Sequence, residues 1–154
     1  MSNRIADSRF VTPPLLVVVR SPRWTSQIQS WLENLPYTPK AHWLTDVQQA
    51  RELSRLNHRA AMVFETPEKF GSDPQPFLSQ LADLCNNPQQ CPLFLLGDSS
   101  AEPWKNVFRE AGAADICSSM LEFEKFSQRL GRYLENNVRS ELSVEQTVIA
   151  RLPW

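Results

Sequence analysis

Leu15-Leu16-Val17-Val18-Val19 is an unbroken apolar run rich in β-branched residues, and Arg20-Ser21-Pro22 follows it at once. The run is of strand length and does not alternate with polar residues, which is the pattern of a strand covered on both faces. Such a strand belongs near the middle of a parallel sheet. Ser21 before a proline suits a helix N-cap with proline in the first helical position, and Trp24, Ile28, Trp31 and Leu35 then recur at helical spacing until Pro36.

The same alternation continues outward along the chain. Lys40 to Thr45 predicts a short strand, and Asp46 caps a helix with Val47, Ala50, Leu53 and Leu56 on one side. Ala60-Ala61-Met62-Val63-Phe64 is a second buried run with Glu65 at its carboxyl end. Pro67, Gly71, Pro74 and Pro76 make 66–76 a loop, after which Phe77, Leu81, Leu84 and Cys85 mark a helix that Pro88 closes. Pro92 to Leu96 is a further buried strand, and Gly97-Asp98-Ser99-Ser100 a polar turn. Glu102 to Ala111 reads as a helix with Trp104, Val107, Phe108 and Ala111 inward and Gly112 as its C-cap. Ala114 to Cys117 is a short strand, and Glu122 to Asn136 a final helix with Phe123, Phe126, Leu130 and Tyr133 on one face.

Strand and helix thus alternate through about five repeats, which predicts a single α/β domain: a doubly wound, five-stranded parallel sheet with right-handed crossovers. The domain spans 15–136. Residues 1–14 are expected to be a flexible lead-in, and 137–154 a mobile tail in which Ser143-x-x-Gln146 resembles a capping box and Ala150-Arg151-Leu152-Pro153-Trp154 has the shape of a docking peptide.

Composition excludes several classes of function. The 154 residues carry Lys+Arg 16 against Asp+Glu 17, a formal net charge of -1, so the clustered positive charge that neutralises nucleic-acid phosphates is missing. The longest apolar run is far shorter than the roughly 20 residues of a membrane span, and no signal peptide precedes it. No nucleic-acid or membrane partner is expected, and the compartment is cytoplasmic. Cys85, Cys91 and Cys117 have no Cys-x-x-Cys spacing and read as buried thiols; His42 and His58 lack metal-ligand spacing. Neither histidine falls at a strand's carboxyl end, so no nucleophile-histidine constellation can be assembled there. Trp24, Trp31 and Trp104 lie on inward helical stripes.

In an open α/β sheet the ligand-binding residues follow the carboxyl ends of the strands. Those positions hold Arg20 and Ser21, Glu65 and Thr66, Gly97 and Asp98, and Ser118 and Ser119. Gly97-Asp98-Ser99-Ser100 before a helix can be read as a phosphate cradle, but it lacks the multiple glycines of such loops, and a helix N-cap accounts equally well for Ser100.

Phe108-Arg109-Glu110-Ala111-Gly112-Ala113-Ala114-Asp115 resembles the fourth helix of a response-regulator receiver domain running through Gly-Ala into the fifth strand. Element order and spacing extend the resemblance over Leu15 to Asn136, as do Pro92 at the start of the fourth strand and the Pro- and Gly-containing loop after the third. It implies a flavodoxin-like fold. It also implies a phosphoryl-transfer site: an acidic pair after the first strand for Mg²⁺, an Asp ending the third, a Ser or Thr ending the fourth, and a Lys ending the fifth. Carried over, the acidic pair falls on Arg20 and Ser21, the Asp on Glu65, the hydroxyl on Gly97 and the Lys on Ser119, while the inward-turning aromatic of the fifth strand falls on Ile116. None matches. A guanidinium at Arg20 puts positive charge where a divalent cation belongs, and neither charge compensation nor a switch hydroxyl remains.

The resemblance therefore implies a degenerate receiver, a non-phosphorylatable domain without enzyme activity, metal or cofactor. It would act through protein contact in signal transduction or transcription control, with a homodimer through the fourth-helix, fifth-strand and fifth-helix face as one mode. The alternative is a small-molecule or nucleotide sensor using the carboxyl-end crevice. Two readings of Glu65 with Arg20 across neighbouring strand ends stay open: an ion pair in which the carboxylate stands in for an acyl phosphate, and a partly exposed pair worth only about 0 to 1 kcal/mol.

Overall fold

Short apolar runs that are hydrophobic on both sides can be satisfied only between two layers of helices. The computed structural model describes residues 10, 11, 13–56, 59–67, 75–85, 91–137, 139 and 140, and it has that architecture. The strands are β2 (Leu15–Val18), β3 (Ala41–Leu44), β4 (Ala61–Glu65), β5 (Leu93–Leu96) and β6 (Asp115–Cys117), all parallel, in the order β3-β2-β4-β5-β6. Between and after them run α1 (Pro22–Glu33), α2 (Val47–Leu56), α3 (Gln75–Cys85), α4 (Lys105–Glu110) and α5 (Phe123–Asn136). The doubly wound five-stranded α/β fold read from the sequence is the fold observed.

The pleat divides the core in two. Leu16, Val18, Met62, Phe64, Leu93, Leu95 and Ile116 face α2, α3 and α4, where Phe77 stacks on Phe64 at 5.7 Å and meets Phe108 edge-on at 5.5 Å. Leu15, Val17, Ala61, Val63, Phe94, Leu96 and Cys117 face α1 and α5, where Trp24 lies 6.0 Å from Phe123 and Phe94 5.8 Å from Phe126. Trp24 is a core residue, and Trp31 and Trp104 pack half-buried against the two clusters. Cys85 and Cys117 are buried and Cys91 half-buried; burial pushes the Cys91 thiol to about 11 and that of Cys117 to about 12, so neither is a nucleophile at neutral pH.

Helix boundaries follow their caps, and three differ from the sequence reading. Asp46 caps α2 as expected, its Oδ1 accepting the Gln49 N–H at 2.9 Å. α1 stops at Glu33, leaving Leu35 outside it. Pro76 lies in the first turn of α3 rather than in the loop, a position where its missing N–H breaks no helical hydrogen bond. After β5 the capping residue is Asp98, not Ser100: its Oδ1 takes the Ser100 N–H at 2.9 Å, and the chain winds tightly as a 3₁₀ turn over Ser99–Trp104 before α4 begins. That early turn rotates the stripe. Phe108 fills the core, whereas Val107, expected inward, is 36% exposed.

Two further short strands, β1 (Phe10–Val11) and β7 (Arg139–Ser140), pair antiparallel and join the two ends of the described chain. Neither stretch shows strand periodicity. His58, Gly71, Pro74, Pro88 and the expected features of the tail, from the Ser143–Gln146 capping box to Trp154, lie outside the described residues. Among the described residues no helix is long and apolar enough to cross a membrane.

Gly112 ends α4 with φ of 116°, and a Cβ there would lie 2.8 Å from that of Cys85. Gly112→Ala should lower stability by about 2 kcal/mol from the backbone strain and more from the contact. Urea denaturation with an unchanged m-value measures it; a variant as stable as the parent contradicts this account of the turn.

Candidate functional site at the carboxyl end of the sheet

From β2 the chain crosses to one side to form β3, then returns to form β4 on the other side. Where strand order reverses in this way, the flanking loops part and leave a crevice at the carboxyl ends. It measures about 180 Å³ and is lined by Ser21, Arg23, Trp24, Glu65, Thr66, Gly97 and Asp98.

Glu65 is its central group. Register places Phe64 opposite Val18, so Glu65 ends β4 one residue beyond the last pair and is 8% exposed. Its Oε1 accepts the backbone N–H of Arg20 at 2.7 Å and of Ser21 at 2.8 Å. These amides enter α1, where first-turn donors have no carbonyl partner and the helix dipole favours a carboxylate. The glutamate thus does for the β2–α1 turn what a bound anion would do.

The contact between Glu65 and Arg20 is a backbone hydrogen bond. Arg20 contributes its amide, its side chain is exposed, and no ion pair joins it to Glu65. The guanidinium at the crevice is that of Arg23, whose Cζ lies 5.0 Å over the Trp24 ring.

Gly97 is buried and donates its N–H to the Cys117 carbonyl at 2.8 Å. A Cβ at this position would sit 2.7 Å from Thr66 Oγ1 and 3.0 Å from the Ala101 methyl. Thr66 is itself fixed by its N–H to the Leu96 carbonyl at 2.7 Å. The glycine therefore reflects a close approach of the two loops, and the space of a side chain at 97 belongs to the Thr66 hydroxyl. Ser119 is half-buried, lies outside the crevice lining and leads into a 3₁₀ turn at Met120–Glu122. Ile116 is buried in the α2–α3–α4 layer.

Charge near these loops is organised around Lys105, which the sequence reading did not single out. Its ammonium lies 2.7 and 2.9 Å from the two carboxylate oxygens of Glu122 and 3.0 Å from Glu102 Oε2. The buried Ser118 donates its hydroxyl to Glu102 and its N–H to Glu122 Oε2 at 3.1 Å. The cluster ties the segment after β5 to the segment after β6. Spacing along the chain offers only the Glu102–Lys105 step of three; Glu122 and Ser118 join from the segment after β6, which no spacing reveals.

The donor set does not fit a divalent cation. Mg²⁺ needs several carboxylate or carbonyl oxygens in octahedral array. Glu65 Oε1 is taken by two amides, Asp98 Oδ1 by Ser100, and Arg23 adds a cation. Among the described residues no group of three or more His, Cys, Asp or Glu side chains is placed to hold a metal.

No protein-family model matches the chain, and no curated protein is similar to it in sequence. Solved structures are similar in fold. The signal receiver domain of an HD domain-containing protein from Pseudomonas fluorescens matches at a TM-score of 0.59 and 20% identity over 92% of this chain and 94% of that one. The receiver domain of a sensor histidine kinase from Pseudomonas aeruginosa, with a magnesium ion coordinated in its active-site cleft, matches at 0.56 and 16% over 81% and 99%. A phosphorylated cyanobacterial phytochrome response regulator matches at 0.59 and 13% over 86% and 100%. The chain has a receiver-like fold.

Two predictions follow from the local chemistry. Glu65→Ala leaves two part-buried amides without their carboxylate and should cost about 2 kcal/mol, while Glu65→Gln, which keeps an acceptor oxygen, should cost about 1 kcal/mol. Equal losses in urea denaturation would count against this reading of Glu65. In the Lys105 cluster, hydrogen bonds from Ser118 and then Lys105 hold the Glu102 carboxyl below its ordinary value. For Glu122 burial acts upward, but the Lys105 and Ser118 donors outweigh it and the net shift is down. For Lys105 burial acts downward and the two carboxylates outweigh it, a net rise. With carboxyl values depressed in the folded state, the unfolded chain binds more protons, so this stabilisation is complete above the ordinary carboxylate range and fades as pH falls through the folded values. Stability of Lys105→Met, followed by urea midpoints from neutral pH down to about 4, should fall less steeply than that of the parent.

Proposed function

We propose that this chain is a receiver-like signalling domain that does not accept phosphate and works by protein–protein contact, in signal transduction or transcription control, without enzymatic activity. The observation that carries the reading is the engagement of Glu65. The carboxylate at the position where a receiver's acceptor would stand is held through its Oε1 by the Arg20 and Ser21 amides, which fixes its orientation. A nucleophile needs free lone pairs aimed at the donor and cations to neutralise charge on the transferring group.

The surroundings support the same reading. Gly97 carries no hydroxyl and has no room for one, and Ser119 brings no ammonium. The nearby lysine, Lys105, is bound to Glu102 and Glu122. The cysteine and histidine chemistry needed for another kind of catalysis is absent from the crevice lining. With the phosphoryl apparatus gone, what such a fold offers a signalling system is its surface. A partner chain or a second copy, received on the face formed by α4, β6 and α5, is part of this proposal, as is work in the cytoplasm. The sensor alternative is less well supported, because about 180 Å³ falls below the roughly 300 Å³ at which small-molecule pockets begin.

Incubation with acetyl phosphate and Mg²⁺ followed by intact-mass measurement is the direct test. No phosphoryl adduct is expected under conditions that modify an ordinary receiver; stoichiometric addition of a phosphoryl group overturns the proposal.

A further inference from the structure

Leu121 is 95% exposed, the most exposed large hydrophobic side chain among the described residues. It stands in the 3₁₀ turn immediately before α5. Along α5 itself a groove of about 430 Å³ opens against α1, with the half-buried Trp31 and Leu35 on the α1 side. Gly131 supplies no side chain to fill it; a Cβ there would meet only Trp31, at 3.8 Å. An apolar knob thus stands just before the helix, and a groove runs along the helix from Glu124 to Glu135, apolar only where Trp31 and Leu35 lie against Gly131, about 15 Å from Leu121.

The polar residues of α5 that form the wall of the groove are arranged to match. Glu124, Gln128, Arg132 and Glu135 follow Leu121 at steps of three and four, which places them along one face of the helix. Glu124, Gln128, Arg132 and Glu135 are exposed, and the ion pairs among the described residues, which join Lys105 to Glu102 and Glu122 and Arg129 to Asp115, use neither Glu124 nor Arg132. If two such faces are laid antiparallel about a two-fold axis through Gln128, Glu124 of each copy meets Arg132 of the other. Leu121 of each then comes over the other's groove between Gly131 and Glu135. Other alignments lose these matches: slipping the pairing so that the residue opposite Glu124 moves three further along sets Glu124 near Glu135 of the second copy, like charge against like.

We infer that the partner of this face is a second copy of the same chain, in an isologous dimer in which each Leu121 enters the other's α1–α5 groove and two Glu124–Arg132 pairs flank the knobs. The inference rests on the reading of the chain as a protein-contact domain and moves the pairing from the β6 side of α5 to the α1 side. Isologous symmetry makes every contact occur twice, so a single apolar residue suffices as the knob on each side. The charged pairs set alignment more than affinity. The dimer is therefore expected to be weak and concentration-dependent, as small interfaces are.

Sedimentation equilibrium of the full chain from micromolar to near-millimolar concentration tests this, with Leu121→Asp, Glu124→Arg, Arg132→Glu and the double change as variants. All three positions are exposed, and circular dichroism melting confirms that each variant folds. Leu121→Asp should weaken self-association by tenfold or more, roughly the burial value of a leucine. Each single charge change should weaken it, and Glu124→Arg combined with Arg132→Glu should restore it. A chain monomeric at every concentration overturns the inference, and so does a dimer indifferent to Leu121→Asp and to the charge exchange. The latter outcome leaves protein contact as the chain's mode of action standing, and the intact-mass experiment decides the phosphate question independently of both.

Discussion

A parallel sheet clad on both faces must bury nearly every side chain of its central strands, so polar groups can be offered only where those strands end. That constraint governs this molecule. β2 and β4 are apolar throughout except for Glu65, and Glu65 is polar because it is the last residue of its strand, beside the start of α1. Its carboxylate closes the turn that joins the sheet to the first helix, and with that turn fixed, the crevice at the strand ends has the shape it has. The positive end of α1 is thereby satisfied from within the chain, which leaves little at that point for an incoming anion to do.

The loops around the crevice follow from the same crowding. Thr66 and Gly97 leave neighbouring strands and approach so closely that one of them must lack a side chain. Beyond them, Lys105 draws Glu102 and Glu122 together, with Ser118 as the fourth member. Thr66 after β4 and the segments after β5 and β6 are thus fixed to their surroundings by hydrogen bonds and ion pairs internal to the chain. Coupling between sites requires an element with two arrangements of similar free energy. Here Gly97 has no side chain to move and Ile116 is buried in the core.

Much of this was legible because strand and helix have different periods. Continuous runs at Leu15, Ala61 and Leu93 could only be central strands, and helical stripes such as Phe123, Phe126 and Leu130 assigned the layers between which they lie. The misreadings have particular causes. Val107 was expected inward because the helix was started at Glu102; the Asp98 cap started a 3₁₀ turn instead and shifted the phase. Pro76 reads as a loop residue until one counts first-turn amides. The ribbon of Phe10–Val11 with Arg139–Ser140 has no local signature at all, since two-residue strands show no period.

The sequence by itself determined the architecture and which residue types stand at the carboxyl ends of the strands, because hydrophobic period and residue identity are local properties of the chain. How those residues engage one another was decided only by the tertiary structure. Arg20 serves through its amide and not its guanidinium, Arg23 faces the crevice in its place, and Lys105 finds carboxylates 3 and 17 residues away. Such partnerships depend on where strand ends and helix starts meet in space, and no spacing along the chain encodes that meeting.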